Sequence, residues 1–141
     1  MAVRWGFLEG ESEPCAVVSE RMELVYLNRP GRALGAVDWF GKRCFEVLPV
    51  TDAWCALHCQ TIKTVSQTDE IAYCEESVRG EEGTEIALGG AIIPLAPSEE
   101  DGARALIVLR RKDRTGNEAG FRERLLADAR ALRTRVASHF G

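Results

Sequence analysis

The sequence holds no apolar run near the roughly 20 residues that a membrane-spanning helix requires. Its first residues, Met1 to Glu13, carry Glu9, Glu11 and Glu13 where a secretory leader needs an unbroken apolar block. The expectation is therefore a cytoplasmic chain without a membrane partner. There are only 2 histidines, His58 and His139, and His139 lies at the extreme C-terminal end, so imidazole-based catalysis has little to build on. No Gly-x-Gly-x-x-Gly and no Lys-Ser/Thr phosphate-loop motif occurs, and Gly89-Gly90 leads into neither. Internal repeats and low-complexity linkers are also missing. A net charge of -4 argues against nucleic acid as a partner.

What remains is the composition of an ordinary globular domain, with 45% hydrophobic and 28% charged residues. A chain of 141 residues fits one domain, and a globule of that size buries roughly two-thirds of the surface its unfolded chain exposes. The 5 cysteines are an odd number in a chain read as cytoplasmic. That combination points to reduced thiols, ligands or redox groups rather than a disulfide framework.

Two short apolar runs, from Cys15 and from Leu24, flank the polar Glu20-Arg21 and read as a hairpin. Asn28 ends the second strand and caps a short helix through Leu34, with Pro30 in its first turn, where a missing N–H does no harm. Cys44 to Leu48, ahead of Pro49, reads as one more helical turn. Trp54, Leu57, Ile62 and Val65 fall at helical intervals and predict a helix over Asp52 to Ser66. Glu70 to Val78 and Thr84 to Leu95 predict a second hairpin around Gly80-Glu81-Glu82-Gly83. The run within Ala103 to Arg110 is apolar enough for a central fifth strand. From Asn117 to Phe140, the apolar residues Phe121, Leu125, Ala129, Leu132 and Val136 repeat at helical spacing and predict an amphipathic helix.

This order of elements is similar to the PAS fold, an α+β architecture with a five-stranded antiparallel sheet, short helices on one face and a C-terminal helix. Tyr26-Leu27-Asn28-Arg29-Pro30-Gly31 resembles that family's strand-ending Asn before its first helix. Gly41-Lys42-Arg43-Cys44-Phe45-Glu46-Val47-Leu48 resembles its Gly-Lys/Arg-x-apolar-x-Glu signature, and Arg110 to Thr115 resembles its Asp-x-Thr link to an output helix. The resemblance covers roughly residues 14 to 115 and divides the chain into an N-terminal extension (1–13), a PAS domain (14–115) and a signalling or dimerisation helix (116–141). The nearest likeness is to PAS domains of bacterial regulators with a Cys after Gly-Lys/Arg-x and two more beyond, here Cys44, Cys55 and Cys59. It implies a cytoplasmic sensor of redox state, gas or a small ligand. The output is a kinase or transcriptional regulator, in another polypeptide or fused in a longer protein of which this is a piece.

On a helix, Cys55 and Cys59 share a face with Cβ atoms about 5 to 6 Å apart, whereas a disulfide wants about 3.8 Å. That disfavours a direct bridge and suits a metal centre. Cys44 is placed to add a third thiolate and Cys74 a fourth, a set that suits an iron-sulfur cluster or a structural zinc. The spacing matches no strong zinc rule, so reversible thiol oxidation and plain burial as small hydrophobes stay open. Cys15, within the first strand, reads as core. The resemblance also implies a heme alternative through His58, which falls near the histidine of oxygen-sensing PAS domains. The cysteine motif of flavin photosensors is absent.

No catalytic constellation emerges, and the expectation is a protein that is not an enzyme; a small thiol-redox enzyme is the competing reading. Leu125, Ala129, Leu132 and Val136 either pack back on the sheet or form a homodimer seam at coiled-coil spacing. Trp5, Phe7 and Leu8 are candidates to cover the same surface. A third reading is a cofactor-free interaction and dimerisation module.

Overall fold

The computed structural model of the chain describes residues 2–21, 23–33, 40, 70–79, 85–95, 102–112 and 118–140. Strands β1 (Cys15–Ser19) and β2 (Leu24–Leu27) form the first antiparallel hairpin. Its turn is closed by the Ser19 hydroxyl, which accepts from the N–H groups of Arg21 and Glu23 at 3.2 Å each. Helix α1 (Arg29–Arg32) follows at once, with Asn28 as its cap and Pro30 in its first turn. Strands β3 (Ala72–Arg79), β4 (Glu85–Pro94) and β5 (Ala103–Arg111) complete one sheet in the order β2-β1-β5-β4-β3, every neighbouring pair antiparallel. The apolar β5 is the central strand. Gly102 precedes it at φ 72°, a left-handed conformation that costs glycine little. The last element is α2 (Glu118–Phe140).

Alternation along the strands sorts the sheet into two rows. Cys15 and Val17 of β1, Leu106 and Val108 of β5, and Ala91 and Ile93 of β4 lie on one side in register. Against this row pack Phe121, Leu125, Ala129, Leu132 and Val136 of α2, in one continuous core. Ala16, Val18, Ile92, Ala105, Ile107 and Leu109 form the opposite row, and they are buried too. Burial on both faces explains why β5 reads as an unbroken apolar run rather than an alternating one.

Within the N-terminal extension, Trp5, Phe7 and Leu8 cover the α2 surface as expected. Ala2–Gly10 forms a 3-10 helix, here called the strap, and Trp5 and Leu8 within it are 0% exposed. With three residues per turn, positions i and i+3 eclipse, so Trp5 and Leu8 fall on one ridge. That ridge lies in the same cluster as Phe121, Leu125 and Val108.

The expected strands hold to within two residues at each end, and α2 is helical over Glu118–Phe140 as its periodicity suggests. Helix α1 stops at Arg32, short of Leu34. The predicted helical turn at Cys44 to Leu48, the helix over Asp52 to Ser66 and the turn at Gly80 to Gly83 lie outside the described residues. Among the described residues no helix is long and apolar enough to cross a membrane.

Candidate functional site

Of the proposed thiolate ligands, Cys44, Cys55 and Cys59 lie outside the described residues, as does the alternative heme ligand His58. Cys74 belongs to β3, its backbone in register with Gly90. Among the described residues, no three His, Cys, Asp or Glu side chains stand together as a metal site. Cys15 is core, as its position in a strand suggests. Burial pushes its thiol up to about 12, and the nearby Glu11 and Glu13 push the same way, so it stays protonated and a poor nucleophile at neutral pH.

The four residues of the candidate dimer seam face inward. Leu125, Ala129, Leu132 and Val136 are at most 6% exposed, all within the chain's own core. The spacing that fits a coiled coil fits a helix lying on a sheet equally well, and here the sheet fills it. While α2 is docked, that stripe is not available as a seam.

What the structure brings together is a junction where the strap, β1, β5 and α2 meet. Beside it, where the strap meets β1 and α1, Asn28 is fully buried. Its Oδ1 accepts from the N–H of Cys15 at 2.8 Å and of Gly31 at 3.1 Å. Its Nδ2 donates to the carbonyls of Leu8 at 3.1 Å and Glu13 at 2.9 Å. One amide thus satisfies four backbone groups from the strap, the linker behind it, β1 and α1. Gly31 is needed in this packing, because a Cβ there would meet Leu27 Cδ1 at 2.5 Å.

Glu9 anchors the other side of the strap. It accepts hydrogen bonds from the Tyr26 hydroxyl, from the Arg29 N–H at 2.8 Å and from Arg32 Nη1 at 3.0 Å. Burial raises the Glu9 carboxyl pKa, but the Tyr26, Arg32 and Arg29 hydrogen bonds outweigh it and hold the group below its ordinary 4.5. Burial raises the Tyr26 hydroxyl, and Glu9 raises it further. A carboxyl depressed in the folded state contributes stability that is full above 4.5 and is lost as pH falls through the folded value. Glu9→Gln should therefore be less stable than wild type at pH 7, with the gap narrowing at a second, acidic pH below 4.5. Urea denaturation at both pH values checks this, and an unchanged gap would mean that the Glu9 charge contributes nothing.

The third set is built on Arg110 of β5. Its guanidinium grips Glu13 with two bonds, Nε to Oε2 at 2.5 Å and Nη2 to Oε1 at 2.6 Å, and reaches Asp128 of α2 with Nη2 to Oδ2 at 2.6 Å. The Glu13 hydrogen bonds are the largest cause of the upward shift of this guanidinium, which is ionised at every accessible pH. Nearby, Arg135 of α2 pairs with Glu11, and His139 stacks on Phe7 of the strap with centroids 4.1 Å apart. A cleft of about 230 Å3 opens here, with Cys15, Val108 and Leu132 below and Glu13, Arg110 and Asp128 at the rim. Because Arg110 at the rim is held by both Glu13 and Asp128, the cleft reads as an ionic closure between elements.

At the other end of α2, Phe121 lies on the backbone of Gly89, where a Cβ would come within 2.5 Å of its Cε1. The Arg122 guanidinium sits 5.3 Å from the centroid of the Tyr73 ring, a cation–π contact to β3. The helix is therefore held at both ends. Sequence reasoning found Asn28 and the α2 stripe. It missed Glu9, Glu13, Arg110 and Gly89, whose partners lie far away in sequence.

An antiparallel sheet in this strand order, with a C-terminal helix on one face, defines an α+β fold, and comparison with solved structures identifies it as the PAS fold. The PAS domain of an HTR-like protein from Haloarcula marismortui matches with a TM-score of 0.57 at 16% identity, over 79% of this chain and 91% of that one. VqmA bound to DPO matches with a TM-score of 0.63 at 16% identity, over 79% of this chain and 58% of that one. The Vibrio cholerae VqmA dimer, described as a LuxR-type receptor that binds DNA, matches at 0.64 and 15% identity, over 82% of this chain and 52% of that one. The chain thus spans little more than half the length of the VqmA structures. No protein-family profile and no curated protein matches the sequence.

Proposed function

We propose that this PAS domain is a sensory module in which α2, with the strap against it, is the output element, and that it signals by contact with a partner protein rather than by catalysis. The observation that carries the reading is the pair of buried rows on opposite faces of one sheet. β5 supplies Leu106 and Val108 to the α2 side and Ile107 and Leu109 to the other. A change in packing on the far side moves the same strand that α2 rests on, and close-packed interiors transmit such strain.

The signal is the finer part of the proposal. VqmA bound to DPO supports a small molecule as one class of ligand. The thiolates Cys44, Cys55, Cys59 and Cys74 are proposed as ligands of an iron-sulfur cluster or zinc, with His58 as the alternative holder of heme. The VqmA dimer also supports a homodimer and a transcriptional output in a longer protein, although a seam on Leu125, Ala129, Leu132 and Val136 would require α2 to leave the sheet.

Anaerobic purification, an absorbance spectrum and iron, sulfide and zinc analysis test the metal reading, with Cys55→Ser and Cys59→Ser beside wild type. A stoichiometric metal lost in both variants is the expected result for a thiolate centre. A heme band insensitive to them moves the site to His58. A colourless, metal-free protein with unchanged variants removes both and leaves a small-molecule sensor or a cofactor-free interaction module.

A further inference from the structure

Arg110 belongs both to the contacts that hold the segment just behind the strap and to those that hold α2, and Phe7 of the strap also stacks directly on His139 of α2. Arg110 stands on the central strand, holds Glu13 behind the strap with two hydrogen bonds, and holds Asp128 on α2 with a third. Its fork is planar and rigid, so its two partners cannot be repositioned independently. Beneath it, Trp5 and Leu8 of the strap share a core with Leu125 and Leu132. Asn28 ties the strap to the rest of the fold at Leu8 and Glu13, and Glu9 ties it to β2 and α1.

We propose that Arg110 is a coupling clasp, through which the strap and α2 are docked and released as one unit. Loosening the strap at Glu9 weakens the hold on α2, although none of the Glu9 hydrogen bonds reaches that helix. Release of the unit uncovers the ridge of Trp5 and Leu8 together with the apolar stripe of α2. The idea deepens the output-helix reading and rests on it for its regulatory meaning. The coupling itself is a property of the domain and is measured without any signal.

The test is a double-mutant cycle read by amide hydrogen exchange in the full chain. Glu9→Ala removes the anchor to Tyr26, Arg29 and Arg32, none of which lies on α2. Asp128→Asn, at an exposed position, takes the charge out of the α2 arm of the clasp and leaves the Glu13 arm in place. In the wild-type background, Glu9→Ala is expected to raise exchange in residues 118–140 by about threefold to tenfold, the range for residues in one network. In the Asp128→Asn background the same substitution is expected to raise strap exchange as before while changing α2 by less than about twofold. Amides of β1 and β5 serve as the folding control, and Arg110→Lys, which keeps the charge and loses the fork, should behave like Asp128→Asn.

An equal effect of Glu9→Ala on α2 in both backgrounds would overturn the clasp, because apolar contact alone would then carry the coupling. No effect on α2 in either background would overturn the coupling itself. Failure of the sensor reading would show instead as an α2 indifferent to any bound molecule, with this cycle unchanged.

Discussion

Asn28→Ala should lower the stability of the domain by about 3 to 5 kcal/mol, the largest effect expected of any single polar substitution among the described residues. Truncation leaves the N–H groups of Cys15 and Gly31 and the carbonyls of Leu8 and Glu13 without their partner at a position that water does not reach. An unsatisfied buried group costs roughly 1 to 3 kcal/mol. The four costs do not add fully, because local relaxation admits some water. Since native domains are stable by only about 5 to 15 kcal/mol, the variant should be partly unfolded near its growth temperature. Asn28→Asp separates the two halves of the role. It keeps both acceptor contacts but turns a carboxylate oxygen toward two carbonyls, so at pH 7 it should be no more stable than the alanine variant. Chemical denaturation of both variants measures this; a loss under about 1 kcal/mol for alanine would show that the amide is not the hub of the fold.

Gly89→Ala should have the largest local effect. The added methyl would lie 2.5 Å from Phe121 Cε1, 3.0 Å from its Cζ and 3.1 Å from the Tyr73 hydroxyl. Overpacking of this kind costs about 1 to 3 kcal/mol, offset in part by the better strand propensity of alanine over glycine. The cost falls on the first turns of α2, where the helix meets β4. Exchange in that part of the helix should rise about tenfold while β1 and β5 stay protected, and Gly89→Ala with Phe121→Leu should recover most of the loss. If the whole sheet loosens with α2, the helix is a structural part of the domain rather than a separable one.

How far these contacts were visible in the sequence depends on their range. The strands, the Asn28 cap and α2 were legible because each is written in local chemistry: β-branched runs, a capping amide before Pro30, and a repeat near 3.6. The central place of β5 was legible because a run apolar on both sides has to be covered on both sides. That Trp5, Phe7 and Leu8 cover the α2 surface was legible, but the 3-10 form of the strap was not. Its one repeated feature is the pair Trp5 and Leu8, too short a pattern to distinguish a 3-10 helix from a loop. Nor was the clasp, because Glu13 and Arg110 lie 97 residues apart and nothing in their spacing links them. The second role of Asn28 was hidden for the same reason, since Leu8 and Glu13 meet it only once the strap has folded over. The α2 stripe shows another limit. Its spacing buries equally well on a sheet or in a coiled coil, and only the presence of a complementary row on β1, β4 and β5 decides between them.

The central test is whether α2 answers to a ligand. Amide exchange in residues 2–10 and 118–140 should be compared between anaerobically purified protein and the same protein after removal of any molecule or metal that copurifies. An output role for α2 predicts that both segments change together while β1 and β5 remain protected. A copurifying molecule whose removal leaves the strap and α2 at their original rates would rule that role out.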